Sequence, residues 1–263
     1  MVKIVKVPSI NAMGKTDGCE MAPDTILREM EEFYTNESLR TPVFDIEEIK
    51  VKNTDLEYSN ELVFDSAKKL FSSGERVIFL GGDHSVSYAT CKAFFETHKD
   101  AGLIVLDAHA DCMHNFAPAT HEDWLRTLIE QGFLKPENVL HVGSRNLHET
   151  EIKFLNENKI NCFSCKEIFS KGLHELMPAL MEISRKWKNL YLSIDIDIAD
   201  PAFAPSVSYP EPGGLTSREL LFILQKLLIV KNLKAADIVE VNSAKDESKL
   251  TTKLAAKILM ELL

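Results

Sequence analysis

The sequence predicts an α/β fold, a three-layer α/β/α sandwich built on a mostly parallel central sheet. Three observations predict it. Short aliphatic runs recur at fairly even spacing, amphipathic stretches with three-four spacing lie between them, and several of the runs are continuous rather than alternating. Strands that alternate with helices build parallel sheets with helices on both faces. A strand covered on both faces is apolar at every position, whereas a half-exposed one alternates.

In chain order, strands are expected at 2–8 (VKIVKVP), 42–49 (PVFDIEEI), 76–80 (RVIFL), 102–107 (GLIVLD), 139–143 (VLHVG), 160–165 (INCFSC), 190–197 (LYLSIDID) and 235–241 (AADIVEV). Helices are expected at 61–71 (ELVFDSAKKLF), 151–159 (EIKFLNENK), 217–230 (SRELLFILQKLLIV) and about 249–263. Thr216, with Glu219 three positions on, forms a capping-box pattern at the start of the third. No repeat, low-complexity stretch or linker interrupts the series, so 1–263 reads as a single domain, long enough for one core.

Composition narrows the function classes. A 45% hydrophobic, 27% charged chain is an ordinary globular protein. Its formal charge of −10 argues against nucleic acid, which needs a basic face, and fits a small cationic partner. No apolar run reaches membrane-spanning length, and MVKIVKVPSI reads as a first strand rather than a secretory signal. Five cysteines, an odd number, suit a reducing compartment and predict a cytoplasmic protein. Cys162 and Cys165 form a C-x-x-C without the second ligand pair that structural zinc needs; they read as two buried cysteines at a strand end.

In parallel α/β sheets, ligands collect beyond the carboxyl ends of the strands. There the polar clusters fall: Gly81–Ser85, Asp107–Asp111, Asp195–Asp200 and Glu240–Asp246 each follow an aliphatic run. In LIVLDAHAD, Asp107, His109 and Asp111 occupy every second position, so they converge if the strand continues extended past its end. Asp195 and Asp197 repeat the device, and His84 follows two glycines that permit a sharp turn. A lone aspartate at a strand end is a turn former or helix cap. Four carboxylates and two imidazoles at neighbouring strand ends would raise one another's pKa values unless cations were present. Hard oxygen donors with one imidazole per ion favour manganese over zinc, and six ligands exceed the three that a catalytic zinc keeps. Two ions sharing carboxylates fit the count. Ions about 3.5–4 Å apart can turn water into a nucleophile at neutral pH.

The blocks GGDHS, DAHAD and SIDIDIADPAFAP, followed by GGLTSREL and VEVNSAKD, resemble the signature of the ureohydrolase superfamily, arginases and agmatinases among them. The resemblance runs in order from about residue 17 to the C-terminus and leans to the agmatinase-like branch. It implies the arginase-like sandwich, hydrolysis of a guanidinium to urea and an amine, and two Mn2+ per chain, with iron, cobalt or nickel as alternatives. It implies that His84, Asp107, Asp111 and Asp195 hold one ion and His109, Asp107, Asp195 and Asp197 the other, Asp107 and Asp195 bridging. It matches Glu240 to the carboxylate that pairs with the substrate guanidinium, and His121 to a loop histidine that shuttles protons to the departing amine. His121 also reads as a histidine at a helix start, and His114 competes for the proton role. The resemblance further implies a homo-oligomer, trimer or hexamer.

Three departures bear on the substrate. Glu122 replaces the usual glycine and Asp123 follows; the pair favours a cationic substrate tail or caps the helix WLRTLIEQ. Met113 stands where arginases carry an asparagine for the substrate α-carboxylate, which points to agmatine, an amine without a carboxylate. Ser243 replaces a proline while Asp246 is retained, so little backbone change is expected there. Arginine, a guanidino acid or a formimino-amino acid remain alternatives; the last would want a pocket arginine, for which Arg145 and Arg126 are candidates. Outside this class stand a non-catalytic metal-binding relative acting as a regulatory or assembly partner, and a zinc amide deacetylase, for which His84 and Asp111 would be superfluous.

Overall fold

A computed structural model describes residues 2–12 and 14–263. Eight strands form one sheet: β1 (Val2–Val7), β2 (Phe44–Glu48), β3 (Arg76–Gly81), β4 (Ala101–Leu106), β5 (Val139–Val142), β6 (Asn161–Phe163), β7 (Asn189–Asp195) and β8 (Leu233–Val239). Their order is β2-β1-β3-β8-β7-β4-β5-β6, and every pairing is parallel, which sharpens the expected mostly parallel sheet. Each expected strand is present, with ends shifted by a few residues.

Helices cover both faces. On one lie α1 (Ala22–Met30), α6 (Cys165–Lys171), α7 (Leu173–Ser184), α8 (Ser217–Leu228) and α9 (Leu250–Leu262); on the other lie α2 (Leu56–Ser72), α3 (Val86–Thr97), α4 (Trp124–Glu130) and α5 (Glu149–Glu157). Alternate strand residues feed the two cores: Ile104 and Leu106 of β4 enter the first, Leu103 and Val105 the second. That division is why the run LIVL is apolar throughout. The Thr216–Glu219 capping box opens α8 as expected, and unforeseen boxes open α5 (His148, Glu151) and α6 (Ser164, Glu167). Helix α3 had no visible periodicity because most of its residues are buried, so no polar face marks its turn. Cys162 is half-buried in β6 and Cys165 is buried at the start of α6; both are free. Among the described residues, no helix is long and apolar enough to cross a membrane.

Gly102 shows how tightly the first core packs. A Cβ there would meet Cδ2 of the buried Trp187 at 1.9 Å, so the strand can carry only hydrogen at that position. Gly102→Ala is expected to cost about 1–3 kcal/mol of stability by overpacking. At about 2–4 °C per kcal/mol for a chain of this size, calorimetry should show a melting temperature several degrees lower.

Candidate metal centre and substrate pocket

Sheet order explains why residues far apart in sequence meet. Strands β3, β8, β7 and β4 are consecutive neighbours, and at or just past their carboxyl ends stand His84, Glu240, Asp195 and Asp107. The backbone N–H of His84 donates to Glu240 Oε1 at 2.9 Å across that seam.

Local geometry differs from the expectation at three places. Strand β4 stops at Leu106, the chain bends at Ala108 and His109, and Asp111 takes a left-handed φ of 51°. The expected extended continuation is therefore absent. The Asp107 carboxylate accepts from His109 N at 2.7 Å, folding the chain back in an Asx turn. Asp195 and Asp197 converge by the same device: Asp195 accepts from Asp197 N at 2.8 Å and starts the 3-10 turn Ile196–Ile198. The glycines before His84 serve closeness, not turning. Gly82 has no left-handed φ, and a Cβ on it would lie 2.2 Å from the Ser9 carbonyl oxygen.

The side chains gather in two groups. His84 Nδ1 lies 2.8 Å from Asp111 Oδ2, 3.1 Å from Asp107 Oδ2 and 3.3 Å from Asp195 Oδ2. His109 Nδ1 lies 3.0 Å from Asp197 Oδ2 and 3.6 Å from Asp107 Oδ1. Asp107 thus faces both imidazoles, one oxygen to each. His84 Nδ1 and Asp107 Oδ2 are buried without a hydrogen-bond partner. Buried polar atoms are normally satisfied, so this orphaned nitrogen and oxygen fit divalent cations. The other imidazole nitrogen, His84 Nε2, meets Ser193 Oγ at 2.9 Å, and Ser193 donates to the buried Asp237 at 2.7 Å. That chain fixes the ring with Nδ1 towards the carboxylates. The indole N–H of Trp124 holds Asp111 at 2.7 Å.

Crowding shows in the titration of the group. Burial, then the Asp107 charge, pushes Asp111 up to about 7. Burial and neighbouring carboxylates also raise Asp195 and Asp197. Asp107 is the exception: burial pushes it up, but the His109 and His84 imidazoles beside it outweigh that and hold it well below the usual range. Burial disfavours charge on His84 and His109, yet the surrounding carboxylates raise both. Such a set wants cationic charge.

His121 is buried, and its Nδ1 lies 3.2 Å from Glu240 Oε1. It sits in the turn before α4, not at the helix start, whereas His114 is exposed. Burial lowers its pKa, but the Glu240 hydrogen bond and charge dominate and push it up to about 9. Glu240 is buried at a left-handed φ of 65° and held below the usual range: burial pushes it up, and His121 outweighs that.

A pocket of about 350 Å³ opens over both groups, with His109, His121 and Glu240 among its lining and Met113, Glu122 and Glu211 also facing it. The two acids after His121 part company. Glu122 lines the pocket, while Asp123 is buried and accepts from Phe116 N at 2.6 Å and Thr120 N at 2.7 Å, tying down the loop rather than capping α4 by its side chain. Arg145 donates to the carbonyls of Asp197 (2.6 Å) and Glu211 (2.7 Å), and Arg126 to Glu130 (2.9 Å) and the Met113 carbonyl (3.0 Å). Both are spent on loop structure. Ser243 meets Thr25 Oγ1 at 2.6 Å, and Asp246 accepts from Thr252 N at 2.7 Å. Sequence reading missed Tyr209, Glu211 and Asp237. A charge inside the aliphatic AADIVEV was the available signal for Asp237; an aromatic and an acid in SVSYPEPGG, just past DPAFAP, were the signal for the other two.

The Arginase family matches residues 1–263. Agmatinase of Bacillus subtilis (strain 168) is 30% identical over 223 residues, 84% of this chain and 74% of that protein. Arginase of Saccharomyces cerevisiae is 30% identical over 225 residues, 75% of this chain and 66% of that protein. Formimidoylglutamase of B. subtilis superposes with a TM-score of 0.90 at 25% identity, covering 99% of this chain and 85% of that one. With its parallel sheet, its paired His–Asp groups and this likeness along its whole length, the chain belongs to the arginase family, hydrolases that act on guanidino C–N bonds.

Proposed function

We propose that the chain, as one arginase-like domain over 1–263, hydrolyses a linear guanidino compound with a cationic tail to urea and an amine, with agmatine the best match and two manganese ions as cofactor. One observation carries the tail: the pocket is faced by Glu122, Glu151 and Glu211, and among the described residues no arginine or lysine lines it. Arginine, guanidino acids and formimino-amino acids all present a carboxylate to such a surface, and like charges repel. Against a non-catalytic relative stands the grouping of His84, Asp107, His109, Asp111, Asp195 and Asp197 beside Glu240.

When bound, the ions would supply a nucleophile from water at neutral pH and neutralise developing charge. His84, Asp107, Asp111 and Asp195 would hold one, and His109, Asp107, Asp195 and Asp197 the other. Glu240 receives the substrate guanidinium through charge-assisted hydrogen bonds, displacing the protonated His121 that stands there in its place. His121 then delivers its proton to the departing nitrogen. Family likeness also leads us to expect a cytoplasmic homo-oligomer, trimer or hexamer, which light scattering in solution tests.

The reaction is tested by incubating manganese-loaded protein with agmatine, arginine, 4-guanidinobutyrate and formiminoglutamate and assaying urea and formamide. Urea from agmatine in clear preference is the expected result. Formamide from formiminoglutamate moves the reading to that branch, and no product from any overturns it.

A further inference from the structure

Outside the pocket lining, against Glu122 and Tyr209, stands a cation of the chain's own. Lys15 Nζ lies 3.5 Å from Glu122 Oε1 and 5.5 Å from the ring centroid of Tyr209. Tyr209 donates its hydroxyl to the same Glu122 oxygen at 3.2 Å, and its ring stacks on His121 with centroids 5.9 Å apart and planes 24° apart. A carboxylate beside an aromatic face is a recurring way to bind an ammonium. Lys15 and Glu122 are 57% and 37% exposed, so their pairing is weak and exchangeable.

The spacing suits a four-carbon tail. His121 Nδ1 is 3.2 Å from Glu240 and its Nε2 3.7 Å from Glu122, so a single imidazole separates the two carboxylates. A butyl chain spans about 6 Å between terminal nitrogens at standard bond lengths. A guanidinium on Glu240 would thus leave a distal ammonium within reach of Glu122, over the face of Tyr209.

The geometry points to Glu122 and Tyr209 as the subsite that reads the distal ammonium of the substrate, with Lys15 as a built-in latch that fills it until the substrate tail displaces it. This rests on the hydrolysis proposed above and adds the residues that select the tail. Selection then has two parts: an ammonium replaces Lys15 like for like, whereas a carboxylate tail would leave Glu122 facing a like charge.

The test pairs urea release from agmatine and n-butylguanidine, which differ only in the distal ammonium, with calorimetric binding of 1,4-diaminobutane and n-butylamine, which needs no turnover. Manganese-loaded wild type, Glu122→Gln and Lys15→Met are compared. Loss of one charged contact should lower the kcat/KM ratio of agmatine to n-butylguanidine about tenfold in Glu122→Gln, with a matching loss in the diamine-to-monoamine affinity ratio. Lys15→Met should raise both ratios a few-fold, because the competing cation is gone. A purely structural role for Glu122 would move both substrates alike. Equal shifts for both tails, or unchanged ratios, overturn the subsite while leaving the hydrolysis standing. No urea from any protein, with the diamine ratio still falling in Glu122→Gln, overturns the hydrolysis and leaves the subsite.

Discussion

Asp107→Ala is expected to abolish urea release, lowering kcat by about 10³-fold or more, because charge stabilisation by a metal pair is worth several kcal/mol. Among the described residues, no other side chain presents separate oxygens to both His84 and His109, at 3.1 and 3.6 Å. Its loss should reduce bound metal from two ions to one or none, read by elemental analysis. Chelation should lower the wild-type melting temperature by about 10 °C, taking a ligand at 1,000 times its dissociation constant as about 4 kcal/mol, and leave the variant almost unmoved. Asp107→Asn separates charge from shape, since an amide oxygen can still accept from His109 N. Near-normal activity and metal content in the asparagine variant would show that Asp107 serves the turn and not the ions.

Glu240→Gln is the second large effect. It removes the negative partner of two charge-assisted hydrogen bonds, each worth about 1.5–3 kcal/mol, so kcat/KM should fall by about 10³-fold. It also removes what raises His121. That imidazole is pushed up to about 9, above an ordinary value of about 6.5. A raised histidine contributes its pairing fully below the lower value and loses it as pH rises through the higher one. The pH profile of kcat/KM reports groups of the free enzyme, so wild type should decline near pH 9 as His121 loses its proton. In Glu240→Gln the decline should move towards neutrality. The same limb at the same pH in both proteins would assign it to another group.

The sequence showed the strands because covered strands are apolar throughout, and it showed the polar clusters because each follows such a run. It could not show how aspartates on one strand end converge. Alternating positions looked sufficient for Asp107, His109 and Asp111, but the structure uses an Asx turn and a left-handed Asp111 instead. Nor does spacing carry sheet order. His84 and Glu240 are 156 positions apart and meet only because β3 pairs with β8. The split between Glu122 and Asp123 was likewise illegible, since adjacent acids differ here only in which way the turn before α4 aims them.

The place of β8 has a consequence for how the protein is made. The last strand in sequence lies in the middle of the sheet, between β3 and β7. Until it emerges, the sheet consists of two open pieces, β2-β1-β3 and β7-β4-β5-β6. The first carries His84, and the second carries the five aspartate and histidine ligands proposed at the carboxyl ends of β4 and β7. At ribosomal speed the wait between β3 and β8 is on the order of ten seconds. Unpaired strand edges are sticky over that time, which makes the nascent chain a natural client for chaperones. Insertion of β8 closes the sheet and brings His84 to its carboxylates in the same event. Metal captured there would fasten the seam, so loading of the ion that needs His84 belongs to the final stage of folding, whereas His109, Asp107, Asp195 and Asp197 already lie together in the second piece.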